Sequence, residues 1–126
     1  MKKRVASCIS ALLITFILFS CGKSHTEELA RTWTVTEIET QTSLPDSVQA
    51  KMISNSVMVF TKDGRYNSNG GIGADQGTYS IDKEGKNLST VSEAGKGNQV
   101  YSIDKLSDER LVITQHGNTI TCTAKN

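Results

Sequence analysis

Apolar and polar positions follow three different rhythms along the chain. Val5 to Phe19 is almost wholly apolar and uncharged, behind a basic start of Lys2, Lys3 and Arg4. Gly22 to Glu28 is short, polar and without an apolar repeat, and reads as a tether. From about Leu29 onward, short runs alternate apolar and polar residues, the period of half-buried strands. Eight such runs are predicted: 32–39, 57–61, 65–67, 77–82, 87–91, 99–105, 110–115 and 119–124. In the first, Trp33 and Val35 share a face but Ile38 has the opposite parity, which predicts a bulge near Thr36.

The separators carry turn chemistry. Asp63-Gly64, Glu84-Gly85, Gly95-Lys96-Gly97 and His116-Gly117-Asn118 supply residues that tolerate positive φ. The one departure is Ser43 to Ser54. There Pro45, Asp46 and the four-residue spacing of Val48 and Met52 predict a short helix, placed to lie across one mouth of a barrel. Tyr79-Ser80-Ile81-Asp82-Lys83 recurs as Tyr101-Ser102-Ile103-Asp104-Lys105, the pattern of two equivalent half-buried hairpins. Short strands joined by hairpins suggest an all-β, antiparallel up-and-down meander, closed into a barrel or curled into a sandwich.

The N-terminal segment is set aside before any fold reasoning. Its apolar run of about 15 residues falls short of the roughly 20 a bilayer crossing needs. It ends in Leu18-Phe19-Ser20-Cys21, which resembles the lipobox of bacterial lipoproteins. The resemblance implies a signal peptide over residues 1–20, a lipidated tether over 21–29 beginning at Cys21, and a domain over 30–126. Two or three acyl chains on Cys21 would hold the protein to its membrane, in the cell envelope and most simply the outer membrane.

Charge and cysteine content change the picture further. Three of the 14 basic residues precede Cys21, leaving 11 against 13 acidic ones, a net charge of −2. A weakly acidic surface argues against nucleic acid as a partner. Cys8 leaves with the signal segment and Cys21 carries lipid, so Cys122 has no disulfide partner. Cys122 shares a strand face with Ile120 and Ala124, the placement of a small buried hydrophobe.

The order Trp33-Thr34-Val35, then Phe60 to Tyr66 around Asp63-Gly64, Gly77-Thr78-Tyr79-Ser80-Ile81, Tyr101-Ser102-Ile103 and Leu111-Val112-Ile113 resembles the lipocalin-like domains of Bacteroidota lipoproteins. It spans nearly the whole domain. Arg31 stands where lipocalins usually have a glycine. The resemblance implies an eight-stranded barrel and, more loosely, a small apolar or amphipathic ligand. Trp33, Phe60, Tyr66, Tyr79 and Tyr101 fall at apolar parity on separate strands and are the candidate cavity residues. So few large side chains leave two outcomes open, a filled core, the simpler one, or a small cavity.

Catalytic and metal motifs do not emerge. His25 and His116 lack metal-ligand spacing. The run from Gly70 to Gly77 has no Lys-Ser or Lys-Thr after it, and reads as a flexible hairpin loop able to cover a cavity. An enzymatic reading would need Asp75 or Glu93 to converge with His116. No cofactor is expected. The functional expectation is a non-enzymatic, membrane-anchored binding module. The alternative is a structural or protein-interaction lipoprotein with a filled core and a partner not named by the sequence.

Overall fold

The computed structural model describes residues 24–125, so the lipobox-like segment and Cys21 lie outside the described residues. The strands are β1 Thr32–Glu39, β2 Val57–Phe60, β3 Arg65–Asn69, β4 Asp75–Ile81, β5 Asn87–Ser92, β6 Asn98–Leu106, β7 Arg110–Gln115 and β8 Asn118–Ala124. Each pairs antiparallel with its sequence neighbour, and β8 returns to pair with β1, closing a barrel in the order β1 to β8. Closure leaves no free sheet edge to template aggregation.

The register follows the residue pattern. The β1–β8 pairing shifts between Val35 and Glu37, so Thr36 is the bulged residue. The extra residue restores parity, and Trp33, Val35 and Ile38 all point inward and are buried. A second shift between Ile103 and Lys105 turns Tyr101, Ile103 and Leu106 toward the core. The β2–β3 connection is a turn in which the Gly64 N–H donates to the Thr61 carbonyl at 3.2 Å, with Gly64 at φ +90°. Only a residue without Cβ adopts that conformation freely. His116 and Gly117, at φ +51° and +81°, make the two-residue β7–β8 turn between the paired Gln115 and Asn118.

Among the described residues two helices complete the fold, α1 His25–Leu29 and α2 Asp46–Ile53. The second lies where Pro45 and the apolar spacing put it. The first occupies the segment read from the sequence as tether. Ser24 and Glu27 form a reciprocal capping box: the Ser24 side chain accepts from the Glu27 N–H, and the Glu27 carboxylate accepts from the Ser24 N–H, both at 3.2 Å. This short turn delivers Leu29 to the barrel base, where it is fully buried.

Leu29, Trp33, Phe60, Leu88, Leu111, Ile113 and Cys122 form the most deeply buried part of the core. The indole Nε1–H of Trp33 donates to the Leu29 carbonyl at 3.0 Å, tying plug to barrel. Arg31 caps the same end. Its guanidinium lies 5.6 Å from the Trp33 ring centroid and donates to the Asp108 carbonyl at 2.5 Å. An arginine in the lipocalin glycine position thus fills space at the base by stacking on the tryptophan.

Cys122 is fully buried, and that burial pushes its thiol up to about 12. The expected result is no reaction with a thiol-specific disulfide reagent at pH 8 in the folded protein and stoichiometric reaction in denaturant. Rapid labelling of Cys122 itself in native protein, located by peptide mass, would show that the strand face is misassigned.

Candidate functional site

Alternate hairpins place connections at opposite ends of the barrel. The β2–β3, β4–β5 and β6–β7 turns share the rim closed by α1. The β1–β2, β3–β4, β5–β6 and β7–β8 connections share the other rim, with α2 packed on β1. Near this second rim the interior is not filled. A cavity of about 310 Å³ is lined by apolar Met58, Phe60, Leu88 and Ile120, by the rings of Tyr66 and Tyr101, and by polar Asp75, Lys96, Gln99 and Gln115. A smaller hollow of about 170 Å³ shares Ile72, Tyr101, Gln115 and Ile120 with it and reaches Met52 of α2. The simpler expectation of a filled core is therefore corrected. Small inward residues at this end, Ser68, Gly73 and Thr90, leave the space that the large residues fill at the base.

The five aromatics divide between the two ends. Phe60, Tyr66 and Tyr101 line the cavity. Trp33 lies below it as part of the closed base. Tyr79 packs edge-on to Phe60, with centroids 5.1 Å apart at 82°, and spends its hydroxyl on the Thr61 carbonyl at 2.6 Å. Phe60 and Tyr66 are in looser ring contact at 6.3 Å.

Asp75 organises the polar side. Its Oδ2 accepts from the Tyr66 hydroxyl at 2.6 Å. Its Oδ1 accepts from the Ser92 hydroxyl at 2.6 Å and from the Gln76 N–H at 2.9 Å. Burial pushes its acidity toward the neutral form. The donors Ser92, Tyr66 and the Gln76 amide, with the Lys96 charge, outweigh that and hold Asp75 below the usual carboxylate range. Ser92 also accepts from the N–H groups of Ala94 and Lys96, so the network fixes the β5–β6 loop. Lys96 reaches across the rim to donate to the Ala74 carbonyl at 2.5 Å.

The glycine run from Gly70 is docked at the rim. The Gly71 N–H donates to the Ser54 carbonyl at 2.9 Å, and the Ile72 N–H to Ser56 Oγ at 2.8 Å. A Cβ on Gly71 would stand 1.9 Å from the Lys51 carbonyl oxygen, so glycine is required for this close approach to α2. The loop carries Ile72 into the hollow, where a freely flexible loop was expected. Of the residues of the enzymatic alternative, Glu93 pairs with Arg65 at 2.8 Å, Asp75 is held by Tyr66 and Ser92, and His116 occupies the exposed β7–β8 turn.

Tyr66 gives the site a measurable alkaline signature. Burial first, then its hydrogen bond to Asp75 and the charge of that carboxylate, pushes its hydroxyl from 10.0 to about 12. The folded state keeps a proton that the unfolded chain releases at lower pH. The contribution to stability is thus complete below pH 10 and lost as pH rises through 12. Urea midpoints should fall across that interval, and less steeply in Tyr66→Phe. Parallel profiles for the two proteins would separate Tyr66 from the effect.

No protein-family model matches the chain, and no curated protein matches it in sequence. Solved structures do match. A lipocalin-like protein from Bacteroides uniformis is 18% identical with a TM-score of 0.57, over 78% of this chain and 99% of that one. A protein from Bacteroides eggerthii is 12% identical with a TM-score of 0.58, over 77% and 99%. A DUF4847 family protein from Bacteroides vulgatus is 13% identical with a TM-score of 0.55, over 77% and 94%. At such identities the likeness speaks for the fold, and the fold of this chain is the lipocalin-like barrel of Bacteroides proteins.

Proposed function

We propose that this chain is an exported lipoprotein, anchored to the outer membrane through Cys21, whose barrel binds a small amphipathic molecule at its open rim. The observation that carries the binding part is the cavity of about 310 Å³ with an apolar floor and a polar side. A volume at the lower end of the range for ligand sites, with a few convergent polar groups, suits one small molecule. The anchor rests on the basic start, the apolar run and the cysteine after Ser20. The binding is without chemistry, since the groups at the rim hold one another in place rather than converge on a reacting atom.

One preparation tests both parts. Protein purified from its native membrane is expected to carry acyl mass on a peptide beginning at Cys21 and to release a small molecule on denaturation. An unacylated N-terminus overturns the anchor. An empty barrel that also shows no thermal shift across a panel of small amphiphiles overturns the binding. Trp33 fluorescence is a poor reporter here, because the indole sits in the closed base.

A second reading, a protein-interaction role, draws on Val91 and Val100. They are 48% and 58% exposed and diagonal to each other on the outer face of β5 and β6. Crosslinking in the envelope that yields a partner lost on Val100→Lys would favour it.

A further inference from the structure

The cavity lining carries one carboxylate, Asp75, and one ammonium, Lys96. Resting on the binding reading above, we propose that the ligand is a small organic amine, its ammonium against the Asp75 carboxylate and its apolar body among Phe60, Tyr66, Tyr101 and Ile120.

Three observations lead there. The first is which charge is fixed. Asp75 and Lys96 are the charged residues lining the cavity. Asp75 is half-buried and held by three hydrogen bonds, from Tyr66, Ser92 and Gln76. Lys96 is exposed, on a loop between Gly95 and Gly97, and its ammonium is turned to the Ala74 carbonyl. An incoming anion meets a negative charge that cannot move away, whereas an incoming cation meets a lysine that can. The position of Lys96 also shows that the rim beside Asp75 already accommodates an ammonium group.

The second is the hydrogen-bonding capacity left over. A carboxylate oxygen offers two lone pairs. Asp75 Oδ2 receives one protein donor, the Tyr66 hydroxyl. The Gln115 amide NH₂ is spent on Gln99 Oε1 at 2.6 Å and the Val100 carbonyl at 3.3 Å, leaving its own oxygen as a second acceptor on the lining. An ammonium N–H can fill the open lone pair on Asp75 Oδ2.

The third is the aromatic lining. Phe60, Tyr66 and Tyr101 border the same space. Aromatic rings with a carboxylate favour a cation over a neutral head group of equal size, through attraction to the ring quadrupole. The volume limits the body to a short chain or a single ring, so long-chain lipids do not fit inside whole.

The test is calorimetric titration of the full-length protein in detergent at pH 7 with phenethylamine, phenethyl alcohol and phenylacetate. Phenethylamine is expected to bind at least about tenfold more tightly than the alcohol, with phenylacetate weakest. Asp75→Asn should bring amine and alcohol to within about twofold. Lys96→Met removes the competing ammonium and should tighten the amine by a few-fold relative to the alcohol. If Asp75→Asn does not fold, Lys96→Met decides: amine binding unchanged or weaker relative to the alcohol overturns the proposal. An alcohol or carboxylate that binds as well as the amine, or a folded Asp75→Asn that keeps the preference, overturns the amine assignment and leaves the binding function standing. Failure of all three probes together with an empty native preparation removes both.

Discussion

Trp33→Ala is expected to lower folding stability by about 3–5 kcal/mol, the range for truncating a large buried aromatic. Trp33 is fully buried and packs where β1 meets β2 and β8, at the seam that closes the barrel. It also engages the Leu29 carbonyl through its indole N–H and carries the Arg31 guanidinium on its face. A domain of this size has a total stability of roughly 5–15 kcal/mol, so the loss brings it near the threshold of folding. Urea unfolding followed by far-UV circular dichroism reads the change, since Trp33 is the sole tryptophan. Trp33→Phe keeps a ring and loses one hydrogen bond, since the Leu29 carbonyl still accepts from the Arg31 N–H at 2.8 Å, at a cost of about 0.5–1.5 kcal/mol. A loss below about 1 kcal/mol for Trp33→Ala would mean that the base repacks or that the indole is not the keystone of this end.

The second large effect is expected at Leu29. Leu29→Ala should cost about 2–5 kcal/mol, because the side chain is fully enclosed and its removal leaves a void under the barrel. Deleting residues 24–30 removes the same side chain together with the carbonyl that Trp33 uses, and should cost at least as much. Ser24→Ala, which breaks only the capping box, should cost about 1 kcal/mol or less. Thermal or urea midpoints of the three variants form a graded series. An unchanged midpoint in the deletion would return this segment to the status of a tether.

The contrast between β1 and α1 shows what was legible in the residues. All eight strands announced themselves by alternation and turn chemistry, and even the Thr36 bulge was visible, because Ile38 broke the parity set by Trp33 and Val35. Each of these signals is local. Helix α1 is as local, but five residues with one leucine carry no period. The usable signal was the Ser24-x-x-Glu27 spacing of a capping box, which precedes no long apolar run and so drew no notice.

The site was legible only in part, for a different reason. Alternation tells whether a side chain points in or out, but not how far along the barrel axis it sits. That depth depends on the stagger between strands, which places Trp33 in the base and Tyr101 near the rim although both point inward. Asp75 shares parity with Gly77 and Tyr79 on β4, so its inward direction follows once the strand is extended to residue 75. Lys96 has no such parity, being on a loop, and arrives at the cavity only through the fold.

The hairpin topology also decides orientation. Thr32 opens β1, and its carbonyl accepts from the Lys125 N–H at 2.9 Å, so the chain enters and leaves the barrel at one rim, the one plugged by α1. The open rim lies at the far end. The mouth therefore lies at the barrel end opposite the one where α1 begins. Two residues, Gly22 and Lys23, separate Cys21 from Ser24, a reach of about 11 Å over three Cα–Cα steps when fully extended. An anchored barrel would therefore stand upright and close to its bilayer, like a cup set on its base. Its cargo would arrive from the aqueous side rather than by lateral diffusion within the lipid.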